Sequence, residues 1–103
     1  ADCTCTLFLR CSSHLFTLIQ NMIDAAHNGG NYRVASVAGL IREALAAYFE
    51  GKVSLSALPE GGPKHSTTVK VTDSIKVAYN RLPKGSRSEI VERAIRSYLA
   101  SSF

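Results

Sequence analysis

The sequence has no apolar run long enough to cross a bilayer, since even the charge-free stretch from Cys11 to Ile23 is too short and too polar. It also lacks the basic, apolar, small-residue series of a signal peptide, so an intracellular protein with no membrane partner is expected. Ala1 in place of an initiator Met fits either a processed start or a trimmed domain. Cysteine is scarce: Cys3, Cys5 and Cys11 are an odd number and a poor start for a disulfide framework, which points to reduced thiols in a cytosol. There is no nucleophile elbow and no phosphate-cradling glycine loop; Ser, His and Asp are scattered, and the GGP at residues 61–63 reads as a turn. An enzyme is therefore not expected. With 46% hydrophobic and 19% charged residues, disorder and low complexity are excluded as well.

The 103 residues make one domain or two very small ones, with little surplus core for a deep catalytic pocket. The formal charge is +4, and it is unevenly placed. Residues 1–50 carry three basic and four acidic side chains, whereas residues 51–103 carry nine basic and four acidic ones. The C-terminal half thus holds the whole basic excess, which suits an anionic partner.

A repeat organises the chain. Residues 40–49, LIREALAAYF, and residues 90–99, IVERAIRSYL, match in their hydrophobic, Ala and Tyr positions at an offset of fifty, pairing Ala44 with Ala94 and Tyr48 with Tyr98. Upstream, Leu9, Cys11, Leu15, Ile19 and Met22 correspond to Val69, Val71, Ile75, Tyr79 and Leu82 at an offset of sixty, so the first copy has ten extra residues between its helices.

Each copy opens with period-two alternation. Cys5, Leu7, Leu9 and Cys11 share one face against Thr6, Phe8 and Arg10, while Val69 and Val71 oppose Thr68, Lys70 and Thr72, which predicts two short strands. Helical stripes follow. They are Leu15, Leu18, Ile19, Met22, Ile23 and Ala26 in copy one and Ile75, Ala78, Tyr79 and Leu82 in copy two, with Ser13 and Asp73 as expected N-caps. Turn formers interrupt both copies at residues 27–31 and 83–85, and second helices begin near Ser36 and Ser86. Val37, Leu40, Ile41, Ala44, Leu45 and Tyr48 line the first of these, and Val91, Ala94, Ile95, Tyr98 and Leu99 the second. Residues 51–65 show turn formers without periodicity and read as a linker, long enough at about 3.3 Å per residue to cross the whole domain.

Strand, helix, turn, helix in some forty residues, ending in SRSEIVERAIRSYL, resembles the ribbon-helix-helix family of Arc and MetJ type DNA-binding proteins. Copy two, KVTDSIKVAYNRLPKGSRSEIVERAIRSYL, carries the resemblance over its full length; copy one follows the order but lacks the Ser-Arg-Ser turn. The resemblance implies a mostly α fold with a two-stranded antiparallel β-ribbon. Copy one (residues 1–50), the linker (51–65) and copy two (66–103) would form one compact tandem pseudodimer, monomeric in solution and able to associate on adjacent DNA sites. A single such unit cannot bury its apolar face, and two in one chain supply each other's partner. Residues 5–11 are expected to pair antiparallel with residues 67–73.

A ribbon packed on its helices leaves alternate side chains exposed, and the major groove of B-DNA admits a two-stranded ribbon. The expected base readers are Thr6, Phe8, Arg10, Thr68, Lys70 and Thr72, with Arg10 and Lys70 typed for guanine and the threonines for either base class or a thymine methyl. Phe8 is the discordant member, fit either for thymine methyls or for a copy that docks differently. The start of the second helix should anchor phosphates through Lys84, Ser86, Arg87 and Ser88, with Arg33 and Ser36 at the corresponding turn of copy one. Capping by the serines satisfies the same residues.

Cys3, Cys5, Cys11 and His14 have the residue types of a zinc site but not its usual paired spacing, so core packing of the thiols is expected and no metal or cofactor. His27 and His65, in turn-rich segments, are expected at the surface. The leading function is sequence-selective binding of double-stranded DNA as a transcriptional repressor or regulator, on nucleoid, viral or plasmid DNA in the cytoplasm. The alternatives are a relaxosome accessory protein at a plasmid transfer origin, of the TraY type, and a protein-interaction module without DNA binding. An antitoxin fits less well, because the chain ends at the helix with no toxin-wrapping tail.

Overall fold

A computed structural model of the protein describes residues 4–32, 36–55 and 63–102. The order is β1 (Cys5–Ser12), α1 (Ser13–Asn28), α2 (Val37–Phe49), β2 (Lys64–Val71), α3 (Asp73–Asn80), a 3-10 turn (Lys84–Ser86) and α4 (Arg87–Ser102). The fold is mostly helical with a single two-stranded antiparallel sheet among the described residues. Among the described residues no helix is long and apolar enough to cross a membrane.

The alternation in the sequence sets which face of the ribbon is inside. Leu7, Leu9, Cys11, Val69 and Val71 are buried, and they meet Leu15, Ile19 and Ile23 of α1, Leu40, Ile41, Ala44 and Leu45 of α2, Ile75 of α3, and Val91, Ile95, Tyr98 and Leu99 of α4 in one core. Helix α2 packs on α4 and on β2, and α4 packs on β1, so the two second helices form the floor beneath the ribbon. Core residues from both halves of the chain are interleaved, which makes one cooperative unit of them. Leu18, placed on the apolar stripe by its spacing, is instead exposed at the margin of α1.

Strand pairing runs Cys5 with Val71, Leu7 with Val69, Leu9 with Thr67 and Ser12 with Lys64. The strand of the second half therefore lies three residues further N-terminal than expected at its start, and it ends at Val71 rather than at residue 73. Its inner face carries His65 and Thr67 at that end, so no apolar alternation marked it in the sequence. The pairing is shifted by two residues. A two-residue shift preserves the faces, because side chains alternate with period two, but it moves the centre of the ribbon. The pair separated by sixty positions, the offset of the repeat, is Phe8 and Thr68.

The helices start and stop for local reasons. Ser12 Oγ accepts from His14 N at 3.2 Å and Thr72 Oγ1 from Ile75 N at 3.4 Å, so each cap sits one residue before the expected Ser13 and Asp73. Both caps stand where the strand is left, Thr72 extended and Ser12 at φ −54°, ψ 134°, so neither has yet taken helical angles, as a cap requires. Helices α1 and α2 both end on left-handed glycines, Gly30 (φ 86°) and Gly51 (φ 79°). There Asn31 N bonds Ala26 O and Lys52 N bonds Ala47 O, the six-to-one bond of a Schellman end.

The connection from α2 to β2 is shorter than the 51–65 linker, since Lys64 and His65 belong to β2. Residues 56–62 of it lie outside the described residues. Its ends are fixed: Val53 is buried in the core, Leu55 O accepts from Arg93 Nη2 at 3.0 Å, and Pro63 O accepts from Ser13 N at 2.9 Å.

Neighbouring residues on β1 should therefore differ sharply in their contribution to stability. Leu7→Ala is expected to lose about 2–5 kcal/mol, whereas Phe8→Ala should stay within about 0.5 kcal/mol, measured by urea unfolding. Similar losses would mean that the two faces of the ribbon are wrongly assigned.

Candidate nucleic-acid interface

The outer face of the ribbon is a row of polar and basic side chains. Thr6 stands opposite Lys70, Phe8 opposite Thr68, Arg10 opposite Ser66, and Lys64 follows at the end of β2. Lys70 Nζ donates to Thr6 Oγ1 at 2.8 Å across the strands. Arg10, Lys64, Ser66, Thr68 and Lys70 are exposed, Thr6 is half-buried, and no acidic residue occurs in the row. Arg10 and Lys70 lie two positions to either side of the Phe8 pair, which sets them about 13 Å apart along the ribbon.

Five of the six expected readers thus share this surface. Thr72 does not: it lies beyond the end of β2, and its hydroxyl caps α3. Ser66 and Lys64 join the row unforeseen. Their period-two phase with Thr68 and Lys70 is visible in KHSTTVKV, but Pro63 and His65 made that stretch read as a turn.

A two-stranded ribbon has two free edges, and side chains from the helices occupy them. On β1, Lys76 Nζ donates to Thr6 O at 3.0 Å and Tyr79 OH to Phe8 O at 3.4 Å, both from α3. On β2, Arg42 Nε of α2 donates to Lys70 O at 2.6 Å. At the far end, Ser12 N donates to Glu92 Oε1 of α4 at 2.9 Å. Glu92 is fully enclosed, and Arg96 Nε stands 3.4 Å from its other oxygen, so the buried carboxylate has both a backbone and a cationic partner. Arg42 and Glu92 occupy the same position of the two second helices, at the offset of fifty, with opposite charge. Each accordingly takes the backbone group of opposite polarity, a carbonyl for Arg42 and an N–H for Glu92.

The starts of α2 and α4 flank the ribbon at its two ends, because Arg42 touches it at Lys70 and Glu92 touches it at Ser12. At α2, Ser36 Oγ accepts from Gly39 N at 3.1 Å. A side chain at Gly39 would put a Cβ 3.3 Å from that hydroxyl, so the glycine keeps the cap tight. Arg33 lies outside the described residues. At α4, Lys84 and Ser88 are exposed and Ser86 is half-buried. Arg87, by contrast, turns back on α3: its Nε donates to Leu82 O at 3.2 Å, its Nη2 to Asn80 O at 2.8 Å, and its guanidinium lies 5.3 Å from the Tyr79 ring centroid. Those contacts lock the α3 to α4 turn and hold Tyr79, which in turn bonds the Phe8 carbonyl.

The cysteines divide by depth. Cys11 is buried, and its burial, with the neighbouring Glu92 carboxylate adding to it, pushes the thiol up to about 12. Cys5 is half-buried and donates to Asp73 Oδ1 at 2.8 Å, a bond that raises its pKa by stabilising the protonated form. Cys3 lies outside the described residues. Among the described residues no group of three or more His, Cys, Asp or Glu is placed to hold a metal ion. His65 is exposed but belongs to β2 and not to a turn, its ring 5.2 Å from that of Phe16. His27 is half-buried, 5.1 Å from the Tyr32 ring.

Comparison with known proteins returns no matching family model, no matching curated protein and no matching solved structure.

The shifted thiol has a pH consequence. Cys11 ionises near 9.0 when unperturbed and near 12 in the fold, so the folded chain keeps a proton that the unfolded chain releases. Its contribution is full below pH 9 and is lost as pH rises from 9 towards 12. Cys11→Val should therefore lose less thermal stability than the parent protein between about pH 8 and about pH 11, and an unchanged difference would contradict a protonated buried thiol.

Proposed function

We propose that this chain is a tandem ribbon-helix-helix protein that binds double-stranded DNA sequence-selectively, as a transcriptional repressor or regulator, with its β-ribbon in the major groove. The observation that carries the reading is the outer face of the ribbon, where Arg10, Lys64 and Lys70 alternate with short hydroxyl side chains and no carboxylate intervenes. The ribbon is about two strands wide, close to 5 Å between backbones, and fits a groove about 12 Å across.

The repeat gives the arrangement its approximate twofold. Pairs on either side of Phe8 and Thr68 exchange under the sixty-residue offset: Thr6 with Lys70 on one side, Ser66 with Arg10 on the other. Both sides thus offer one hydroxyl and one long cation. Arginine reads guanine O6 and N7 as a bidentate fork, while lysine meets the same atoms as a point charge. The two cations, about 13 Å apart along the ribbon, address guanines about four base pairs apart at 3.4 Å per step. Because the two halves are unequal, the preferred site is non-palindromic.

Phosphates flanking the groove are met by Lys84, Ser86 and Ser88 at the start of α4 and by Ser36 at the start of α2, where backbone N–H groups and the helix dipole favour an anion. Arg87 serves this surface indirectly, by fixing the turn from which α4 begins.

Two measurements test the reading. Neutralising about five phosphates implies a log-log slope of affinity on salt near −4.5, and affinity flat with salt would refute electrostatic docking. In sites selected from random DNA, Arg10→Ala and Lys70→Ala should each relax one half-site, at about 1–3 kcal/mol for a lost base contact. Arg87→Ala should instead weaken all sequences alike through the displaced turn. If both half-sites survived the ribbon substitutions unchanged, base reading by the ribbon would be abandoned.

A further inference from the structure

Phe8 is out of character with its row. It is 73% exposed, while Leu7 and Leu9 beside it are buried, and every other outward residue of the ribbon is a hydroxyl or a cation. The ring stands at the centre of the ribbon, on the one pair that the sixty-residue offset relates to itself. Nothing in the core depends on it. Its backbone, however, is fixed from the helix side, where Tyr79 OH donates to the Phe8 carbonyl at 3.4 Å and Tyr79 is itself held under the Arg87 guanidinium. Beside the ring a shallow recess of about 270 Å³ opens on the ribbon surface, lined by Phe8, Leu9, Arg10, Ser66, Thr67 and Thr68. It lies towards the Arg10 side of the centre, with Phe8 and Thr68 among the residues that line it.

We infer that Phe8 and this recess form a reader for the C5-methyl group of a pyrimidine at the centre of the bound site, displaced towards the half addressed by Arg10. The inference rests on the DNA-binding reading above and deepens it. The thymine methyl is the apolar feature that the major groove presents, and an aromatic or threonine methyl is the side-chain chemistry that meets it. Threonine and phenylalanine face each other here across the strands, so the one ring of the outer face and the Thr68 side chain are gathered at the centre of the ribbon. A protein-docking role would use the ring equally well, but the cations and hydroxyls on every side of it match a groove of base edges and phosphates better than an apolar partner. Two bases carry the methyl, thymine and 5-methylcytosine, and they share the chemistry.

The test uses the intact chain and a duplex selected from random DNA. In that duplex each central thymine is replaced in turn by deoxyuridine, and in a second series each central cytosine by 5-methylcytosine, so that only the methyl changes. Burying one methyl corresponds to about a fourfold change in affinity, from about 0.8 kcal/mol per buried carbon at 1.4 kcal/mol per tenfold. At one position on the Arg10 side, thymine should bind about fourfold tighter than deoxyuridine, and 5-methylcytosine should exceed cytosine by a similar factor. Phe8→Ala, which removes an exposed ring without touching the core, should bring both ratios to one. A ratio of one at every central position in the parent protein, or ratios that persist in Phe8→Ala, would overturn the inference while leaving DNA binding intact. Failure to select any duplex at all would overturn the DNA-binding reading with it.

Discussion

The structure depends on satisfying the edges of a sheet that has only two strands. Every second residue of such a ribbon turns both of its backbone groups away from its partner, and an unpaired polar group removed from water costs on the order of a lost hydrogen bond. This fold meets the requirement with side chains borrowed from helices. Lys76 and Tyr79 reach β1, Arg42 reaches β2, and Glu92 receives the N–H of Ser12. Helices α3 and α4, which follow β2, clamp β1, and α2, from the half that contains β1, clamps β2, so each edge is held from the other half of the chain. Interlocking of this kind leaves the outer face of the ribbon free of structural duties, and that face is where Arg10, Phe8 and Lys70 stand.

The clamps also account for the choice of cations. Of the basic side chains in the basic half, Lys76, Arg87, Arg93 and Arg96 are held by carbonyls or by Glu92. Lys64, Arg81 and Lys84 remain exposed, Lys52 is exposed and paired with Glu50, and Lys70 is exposed with its ammonium directed across the strands to Thr6. Net charge alone therefore overstates what the surface offers an anion. Helices α2 and α4 show how one mechanical task is met by opposite charges: Arg42 and Glu92, fifty positions apart, each hold a backbone group at an edge of the ribbon.

The elements of the fold were legible because Leu7, Leu9, Val69 and Val71 alternate while the helices repeat every three to four residues, and those patterns have one physical reading each. The register of the ribbon was not. His65 and Thr67 sit on its inner face near the end of the sheet, where the core gives out, and polar residues there left the start of β2 without a signature. Glu92 was invisible for a related reason, since a carboxylate on a helix reads as solvent-facing unless its partner, here a backbone N–H eighty residues away, is known. Among the candidate readers, Thr6, Phe8, Arg10, Thr68 and Lys70 followed from phase alone. Thr72 was drawn in by the same alternation carried one residue too far, into a helix cap. Arg87 was typed by charge, but its length and planarity suit it equally to bridging two carbonyls across a turn.

Both strands of the ribbon belong to one chain, joined by a connection fixed at one end by Val53 in the core and at the other by the bond from Ser13 N to Pro63 O. A ribbon assembled from two chains is subject to mass action, and its folded fraction falls as the protein is diluted. Here the second strand is present at a fixed effective concentration set by the tether, so pairing of the two strands needs no second chain. The two halves are also released from the identity that a homodimer enforces, which lets one end of the ribbon accumulate changes the other does not share. One covalent connection thus acts twice, on the closeness of the two strands and on their freedom to differ in sequence.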